Sequence, residues 1–429
     1  MALDLSVILP ALNEGPNLAV LIPQLRRVLD ELGIRYEILV VTRGPDHQTQ
    51  EVAVREGVRL LEQQEPGYGG ALRSGFSAAQ GEHIVTMDAD LSHPPNVVRD
   101  LWRERGSAEV LIASRYVPGG SARMPFLRYV LSRVLNRFFA RGLSLPIRDL
   151  SSGFRLYQAR LLRNQTFTAR DFDILQEILV RLYAEGWRVR EIPFEYEPRL
   201  GGTSNARVLP FGIAYMRTFG KLWKLRNSVE SADYDDRAHD SVVPLQRYWQ
   251  RKRYEHVVGF FDPAQPVLDV GCGSSRIIKA LPRASVAVDV LLRKLRYARR
   301  FGCSLVWASG FNLPFADGSF PSVVCSQVIE HVPRDSPILS ELCRVLAPGG
   351  RLILGTPDYD RFEWVAIEAV YARVAPGGYA DEHITHYTRR ELVDYFQARG
   401  YTLEATRYIL RAELIIVVRK PGELRRASA

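Results

Sequence analysis

Cysteine is scarce in this chain. The four present, Cys272, Cys303, Cys325 and Cys343, all lie in the second half, and none forms a C-x-x-C pair. That argues against a disulfide framework and a cysteine zinc site, and fits a reducing cytoplasm. Also lacking is an unbroken apolar run of the roughly 18 residues that a membrane-spanning helix needs. The opening MALDLSVILPALNE has no basic n-region and passes directly into a strand pattern, so no signal peptide is expected. There is no internal repeat. Acidic residues are outnumbered, 48 Asp and Glu against 57 Lys and Arg, for a formal charge of +9. Such an excess suits phosphate-bearing partners: nucleotides, nucleic acid or an anionic membrane surface.

With 429 residues there is room for two or three domains, each able to bury its own core. In the first half, strand-like runs at 5–9, 37–41, 58–61, 83–87 and 110–113 alternate with helical stretches such as 17–32 and 70–79. Alternation of this kind predicts a mostly parallel sheet covered by helices. Residues 228–246 are poor in large apolar groups and rich in Asp and Ser, and read as a linker between domains at 1–227 and 247–429. After a basic, aromatic helix, a second α/β series begins, with strands expected at 266–270, 285–290, 323–326 and 351–354.

Two motifs carry chemistry. The first is Met87-Asp88-Ala89-Asp90-Leu91-Ser92-His93-Pro94-Pro95, directly after a strand. Two carboxylates at i and i+2 leaving a sheet edge can share Mg²⁺ or Mn²⁺, hard cations that prefer oxygen ligands and keep positions for diphosphate oxygens. The ion would neutralise charge on a departing nucleoside diphosphate. The second is Val267-Leu268-Asp269-Val270-Gly271-Cys272-Gly273, an apolar strand ending in a glycine turn through which backbone can approach a ligand. Asp289 ends a second strand ~20 residues on, the spacing at which an acidic side chain meets ribose hydroxyls in nucleotide-binding folds.

The segments SVILPALNEGPNL, GYGGALRSGF, VTMDADLSHPP, IASRYVPGG, RDLSSGFRLY and REIPFEYEPRLGGTS occur in an order that covers nearly all of the first half. In these the chain resembles the GT-A glycosyltransferases of family 2, in the dolichyl- or polyprenyl-phosphate mannose synthase branch. The resemblance implies a sugar-nucleotide donor contacted by Pro10, Asn13 and Glu14, and metal and diphosphate held by Asp88 and Asp90. It further implies an acceptor phosphate met by Arg115, Arg128 and Ser132, and a diphosphate clamp at Arg199. Arg128 and Ser132 are four apart in a helical pattern, so they share a face and can grip one phosphate. Thr42-Arg43-Gly44 stands where the family usually has an acidic turn, so a non-catalytic binding or scaffold role for this half stays open. Two basic, aromatic helical stretches, 126–139 and 211–226, have the composition of helices that lie in an anionic bilayer interface, and equally of core-facing helices with a solvated basic face.

In VLDVGCG, VAVDV, NLPFADGSF, VVCSQVIEHV, LCRVLAPGGRLILGTP and HYTRRELVDYFQARGY the second half resembles class I methyltransferases of the type that includes ubiquinone-biosynthesis enzymes. This implies a Rossmann-like fold binding S-adenosylmethionine through Asp269, Gly271, Gly273, Asp289 and Gln327. Glu330, His331, His383 and His386 are candidate bases for an oxygen acceptor. The expectation is thus a bifunctional transferase of two α/β domains, moving a hexose to a lipid phosphate or glycan acceptor and a methyl group to a sugar, glycolipid or small molecule. It would be cytoplasmic, with peripheral membrane contact open. Nucleic acid is not an expected partner, since no Asn/Asp-Pro-Pro-Tyr-type motif accompanies the charge.

Overall fold

The computed structural model describes residues 3–44, 46–163, 165–198, 208–374 and 383–422. It divides into two compact units, Met1–Tyr183 with Trp187–Arg226, and Ala184–Gly186 with Asn227–Ala429.

The first unit opens with β1 (Leu3–Pro10), α1 (Gly15–Glu31), β2 (Tyr36–Thr42), α2 (His47–Arg55), β3 (Arg59–Glu62), α3 (Gly67–Ala78) and β4 (Gly81–Thr86). There follow α4 (Asn96–Arg103), β5 (Val110–Ser114), β6 (Ser121–Ala122), α5 (Phe126–Gly142), β7 (Arg155–Gln158) and α6 (Ala159–Arg163). The unit ends with α7 (Ile174–Ala184), β8 (Val189–Pro193), β9 (Glu195–Tyr196) and α8 (Val208–Arg226). Seven strands form one sheet in the order β3-β2-β1-β4-β7-β5-β8, with β7 antiparallel to both neighbours. Leu5, Val7, Ile8 and Leu9 of β1 are all fully buried. Helices cover both faces, which is why the parallel strands read as continuous apolar runs rather than alternating ones.

The order reverses between β1 and β4, which pair in parallel through Ile8 and Thr86. A crevice opens at such a switch point beyond the strands' carboxyl ends. The loops leaving β1 and β4, carrying Asn13 and Asp88 to Asp90, both start there. Asn13 and Leu91 have positive φ, 59° and 64°. Left-handed backbone at non-glycine residues is costly and concentrates at functional loops.

The second unit contains α9 (Tyr234–His239), α10 (Pro244–Val258), β10 (Val267–Val270), α11 (Ile277–Ala280), β11 (Val286–Asp289), α12 (Leu292–Ala298) and β12 (Ser304–Trp307). It continues through β13 (Phe320–Ser326), α13 (Ile338–Val345), β14 (Leu346–Pro357), α14 (Phe362–Val374), α15 (Arg389–Gln397), β15 (Thr402–Ile409) and β16 (Glu413–Arg419). Its sheet runs β12-β11-β10-β13-β14-β16-β15, with β16 antiparallel to β14 and β15. The switch point here lies between β10 and β13, so the glycine turn after β10 and Gln327 after β13 meet at one edge. Gln327 also has a positive φ, 62°.

The strands expected from the sequence are present in both halves. The stretch 228–246 differs from a solvated linker: it holds α9 and the start of α10. Two of its carboxylates are spent inside the second unit. Asp235 accepts from the Ser274 backbone N–H (3.1 Å) and from Lys294 Nζ (2.9 Å), and Lys294 is itself buried. Asp236 accepts from Arg276 Nε (2.7 Å) and Tyr297 OH (2.6 Å). Partners distant in sequence, not local composition, take these acids out of water.

Candidate active sites

In the first unit, Asp88 and Asp90 follow β4 at the switch point. Ser92 N–H donates to Asp90 Oδ1 (3.1 Å), an Asx turn that fixes the bend. Tyr68 OH donates to Asp88 Oδ1 at 3.1 Å, and burial pushes that phenol well above its ordinary pKa, so it stays a donor. A Cβ at Gly153 would lie 2.6 Å from Tyr68 Oη and 3.4 Å from Asp88 Oδ1, so glycine leaves room for that pair. His93 braces the motif from inside. Its Nδ1 accepts from the Asp88 N–H (2.9 Å) and its ring stacks on Phe154 at 4.9 Å. Burial lowers its pKa, so the imidazole is neutral and serves as an acceptor. Two carboxylates two residues apart after β4 are a hard oxygen donor set, the kind a divalent cation takes.

On the donor side, Pro10 closes β1, and the Asn13 N–H donates to Asp46 Oδ2 at 2.6 Å. Glu14 accepts from Asn17 Nδ2 at 2.6 Å. Asp46, four residues past Thr42, does not replace the missing acidic turn. Its carboxylate caps α2 through the Thr49 N–H (3.2 Å) and is buried, while Arg43 at the turn is exposed.

The three residues expected at an acceptor phosphate differ in setting. Arg128 is exposed on α5, and Ser132 one turn on is half-buried and accepts from Tyr116 OH at 2.7 Å. Arg115 is not open to solvent: its Nε and Nη2 make a bidentate pair with the buried Asp149 (2.8 and 2.7 Å), and Nη2 also donates to Ser151 (2.7 Å). Burial by itself would raise the Asp149 carboxyl, but Arg115 outweighs it and holds it below the usual range. Arg199 lies outside the described residues. Asn136 anchors α5 by accepting from the Leu150 N–H (2.7 Å) and donating to Ser151 Oγ (2.9 Å). None of Asp149, Asn136 and His93 was singled out from sequence, although Asp149 lies in the RDLSSGF segment.

Removing the Asp149 charge strands a buried guanidinium. Asp149→Asn is therefore expected to lower the unfolding free energy of the first domain by about 3–5 kcal/mol. Chemical denaturation followed by tryptophan fluorescence measures this, and an unchanged midpoint would count against the pairing.

In the second unit a cavity of about 190 Å³ opens above the glycine turn and is bordered by Asp269, Gly271, Gly273 and Gln327. Among the described residues, Asp269 Oδ2 and Gln327 Nε2 are buried with no hydrogen-bond partner. Burial and the nearby Asp289 push the Asp269 carboxyl up to about 7. Orphaned polar atoms on a cavity wall fit a ligand bearing ammonium, carboxylate and hydroxyl groups. Asp289 does not border this cavity. Its two oxygens accept from the Gly273 N–H (2.7 Å) and the Leu291 N–H (2.7 Å), so it holds the glycine turn in shape.

Sequence reasoning missed the wall supplied by α9 and α10: Tyr234, Asp235, Gln246, Trp249 and Arg253. Arg253 is locked by the fully buried Glu413 of β16 (2.7 and 2.6 Å), which also accepts from Trp249 Nε1. The basic, aromatic composition of α10 was the available signal. Of the candidate bases, His331 and His383 border the cavity. Glu330 is fully buried, accepts from Thr356 Oγ1 at 3.1 Å, and is pushed by burial up to about 8. His386 is exposed and stacks on Tyr359 at 4.0 Å.

Two α/β sheets, each with a loop leaving the strands at its switch point, are the architecture of a GT-A unit followed by a Rossmann-like unit. The family model for glycosyl transferase family 2 matches residues 6–165, and one for a methyltransferase domain matches residues 268–354. The chain belongs to glycosyl transferase family 2 and carries a methyltransferase domain after it. It is 31% identical over 239 residues to a dolichol-phosphate mannosyltransferase of Pyrococcus furiosus, covering 53% of this chain and 66% of that protein, just short of two thirds of its length. An uncharacterized glycosyltransferase of Mycobacterium tuberculosis is 30% identical over 199 residues, covering 46% of this chain and 88% of that protein. The crystal structure of glucosyl-3-phosphoglycerate synthase from Mycobacterium tuberculosis with Mn²⁺, UDP and glucosyl-3-phosphoglycerate aligns at 18% identity and a TM-score of 0.43, over 52% of this chain and 80% of that one.

Proposed function

We propose that the first domain transfers a hexose, mannose-like, from a sugar nucleotide to a polyprenyl or dolichyl phosphate, and that the second methylates a sugar, glycolipid or small molecule with S-adenosylmethionine. The observation that carries the first reading is the arrangement on α5. Arg128 and Ser132 form one row. Beside it Leu127, Leu131, Val134 and Phe138 form an apolar stripe facing solvent, with Phe126 and Leu127 81% and 79% exposed. A phosphate grip next to an uncovered apolar stripe matches the chemistry of a phosphate with a hydrocarbon tail. Among the described residues no helix is long and apolar enough to cross a membrane, so the helix would lie in the interface.

In this reading Asp88 and Asp90 hold Mg²⁺ or Mn²⁺, which when bound stabilises the departing diphosphate. Pro10, Asn13 and Glu14 border the donor, and Arg199 is proposed to clamp its diphosphate. A lipid phosphate oxygen is already anionic at neutral pH, so the protein's task is to align it with the anomeric carbon rather than to deprotonate it. Arg128 and Ser132 orient that phosphate, and Arg115 shapes the wall through Asp149. In the second domain, Asp269, Gly271, Gly273 and Gln327 hold the methyl donor and Asp289 keeps the turn open.

Substituting Leu131 and Val134 by Asp should leave the fold intact, because both side chains are exposed, and cut cosedimentation with phosphatidylglycerol vesicles about tenfold. Equal binding by the double variant would remove the membrane-interface part of the reading. A second reading, a non-catalytic binding domain beside an active methyltransferase, draws on the exposed Arg43 where an acidic turn is usual. Calorimetry with GDP- and UDP-sugars, with and without Mn²⁺, separates the two: no metal-dependent binding of any of them favours the scaffold.

A further inference from the structure

The methyltransferase cavity has a wall that the glycine turn does not explain. His383, His331, Trp364 and Glu368 border it opposite in sequence to the cofactor loop. His383 Nδ1 lies 3.1 Å from Glu368 Oε1 and 2.9 Å from Tyr359 Oη, and Tyr359 OH donates to the same Glu368 oxygen at 2.9 Å. An imidazole N–H facing a carboxylate places its proton on Nδ1, which leaves the Nε2 lone pair for another partner. The His383 side chain is only 4% exposed. Its segment is held in place by the Ile384 and Thr385 N–H groups, which donate to the Glu330 carbonyl at 2.9 and 3.0 Å.

We infer that His383 is the general base of the methyl transfer, that Glu368 is its positioning carboxylate, and that the methyl acceptor is therefore a neutral hydroxyl group. This rests on the methyltransferase reading above. A base oriented by a third group is what an O–H nucleophile requires. A carboxylate acceptor is already anionic at neutral pH and needs no such base. The acceptor oxygen gives its proton to Nε2 as it bonds to the methyl carbon. The carbon–sulfur bond breaks with its electron pair remaining on sulfur, and the thioether departs. Glu368 stabilises the imidazolium until the proton passes to water.

The groups facing His383 are Glu368 and Trp364 of α14, Tyr359, Glu330, His331 and His386. Burial lowers the His383 pKa, His331 lowers it further and Glu368 raises it, so the ring is neutral under ordinary conditions.

The test uses the full chain with methyl-labelled S-adenosylmethionine. The acceptor probes are methyl α-mannoside and methyl α-glucoside, with glucosamine and 1-thioglucose as amine and thiol controls. Label is expected on a hydroxyl. His383→Ala should lower turnover by about 10²- to 10³-fold, within the usual worth of a general base, with cofactor affinity unchanged by calorimetry. Glu368→Gln should cost about tenfold in turnover with little change in KM. It should also shift the acid limb of the pH–rate profile to lower pH, because a neutral amide no longer supports the imidazolium.

Nitrogen-15 NMR of the imidazole needs no acceptor and should show the proton on Nδ1. A proton on Nε2, unchanged turnover in His383→Ala, label only on amine or thiol, or activity lost to a chelator and restored by zinc would each overturn the assignment. Should no probe be labelled, the tautomer decides alone. Failure of the wild-type chain to bind S-adenosylmethionine would instead strike at the underlying reading.

Discussion

Replacing Asp90 by Asn is expected to reduce glycosyl transfer about 10³-fold while leaving the methyltransferase domain untouched. Asn keeps the Oδ1 acceptor that the Ser92 N–H uses, so the bend after β4 survives. What disappears is one negative charge. Leaving-group stabilisation by a bound divalent ion is worth several kcal/mol, and about 4 kcal/mol corresponds to three orders of magnitude. The measurement is nucleoside diphosphate release from a sugar nucleotide with polyprenyl phosphate and Mn²⁺, paired with calorimetry of GDP and UDP binding. Asp90→Asn should lose the metal-dependent part of binding. A variant transferring sugar at the wild-type rate would show that the carboxylate pair is not the metal site. A parallel fall in S-adenosylmethionine affinity would indicate misfolding instead.

Gly271→Ala is expected to weaken S-adenosylmethionine binding at least 100-fold. Gly271 has φ of 72°, and a Cβ there would sit 2.3 Å from Val328 Cγ2. The left-handed backbone costs an L-residue roughly 1–2 kcal/mol, and the clash forces the turn after β10 against the loop after β13. Both loops border the cavity, so the strain is relieved by deforming the site. The double variant Gly271→Ala with Val328→Ala separates the two causes: removing the Val328 methyl groups should restore part of the affinity, and the backbone cost should remain. Calorimetry with S-adenosylmethionine checks both, and full affinity in Gly271→Ala would mean that the cofactor does not lie over this turn.

The placement of the first candidate site on one loop was legible because it is local. Asp88 and Asp90 stand two residues apart after an apolar strand, and one loop delivers both. The same holds for Asp269, Gly271 and Gly273 after β10. That Arg128 and Ser132 share one helix was legible from spacing, and the structure adds that the neighbouring stripe on α5 is uncovered, which periodicity alone could not distinguish from a core-facing helix. Asp289 was placed on its strand correctly, but the structure shows it tying the glycine turn rather than bordering the cavity.

The sequence by itself determined two α/β series, the loops that end their strands, and the order in which both families' motifs occur. Strands buried on both faces must be written as continuous apolar runs, and turns that approach a ligand must be written with glycine or a short polar side chain. Tertiary structure alone decided that Arg115 closes on Asp149, 34 residues away, that the acidic stretch around Asp235 becomes cavity wall, and that His383 meets Glu368 and Tyr359. Each of those is a pairing of charged or polar groups across separate elements. Such a pairing leaves no period in the chain, because its partners are chosen by where the backbone brings them and not by their distance in sequence.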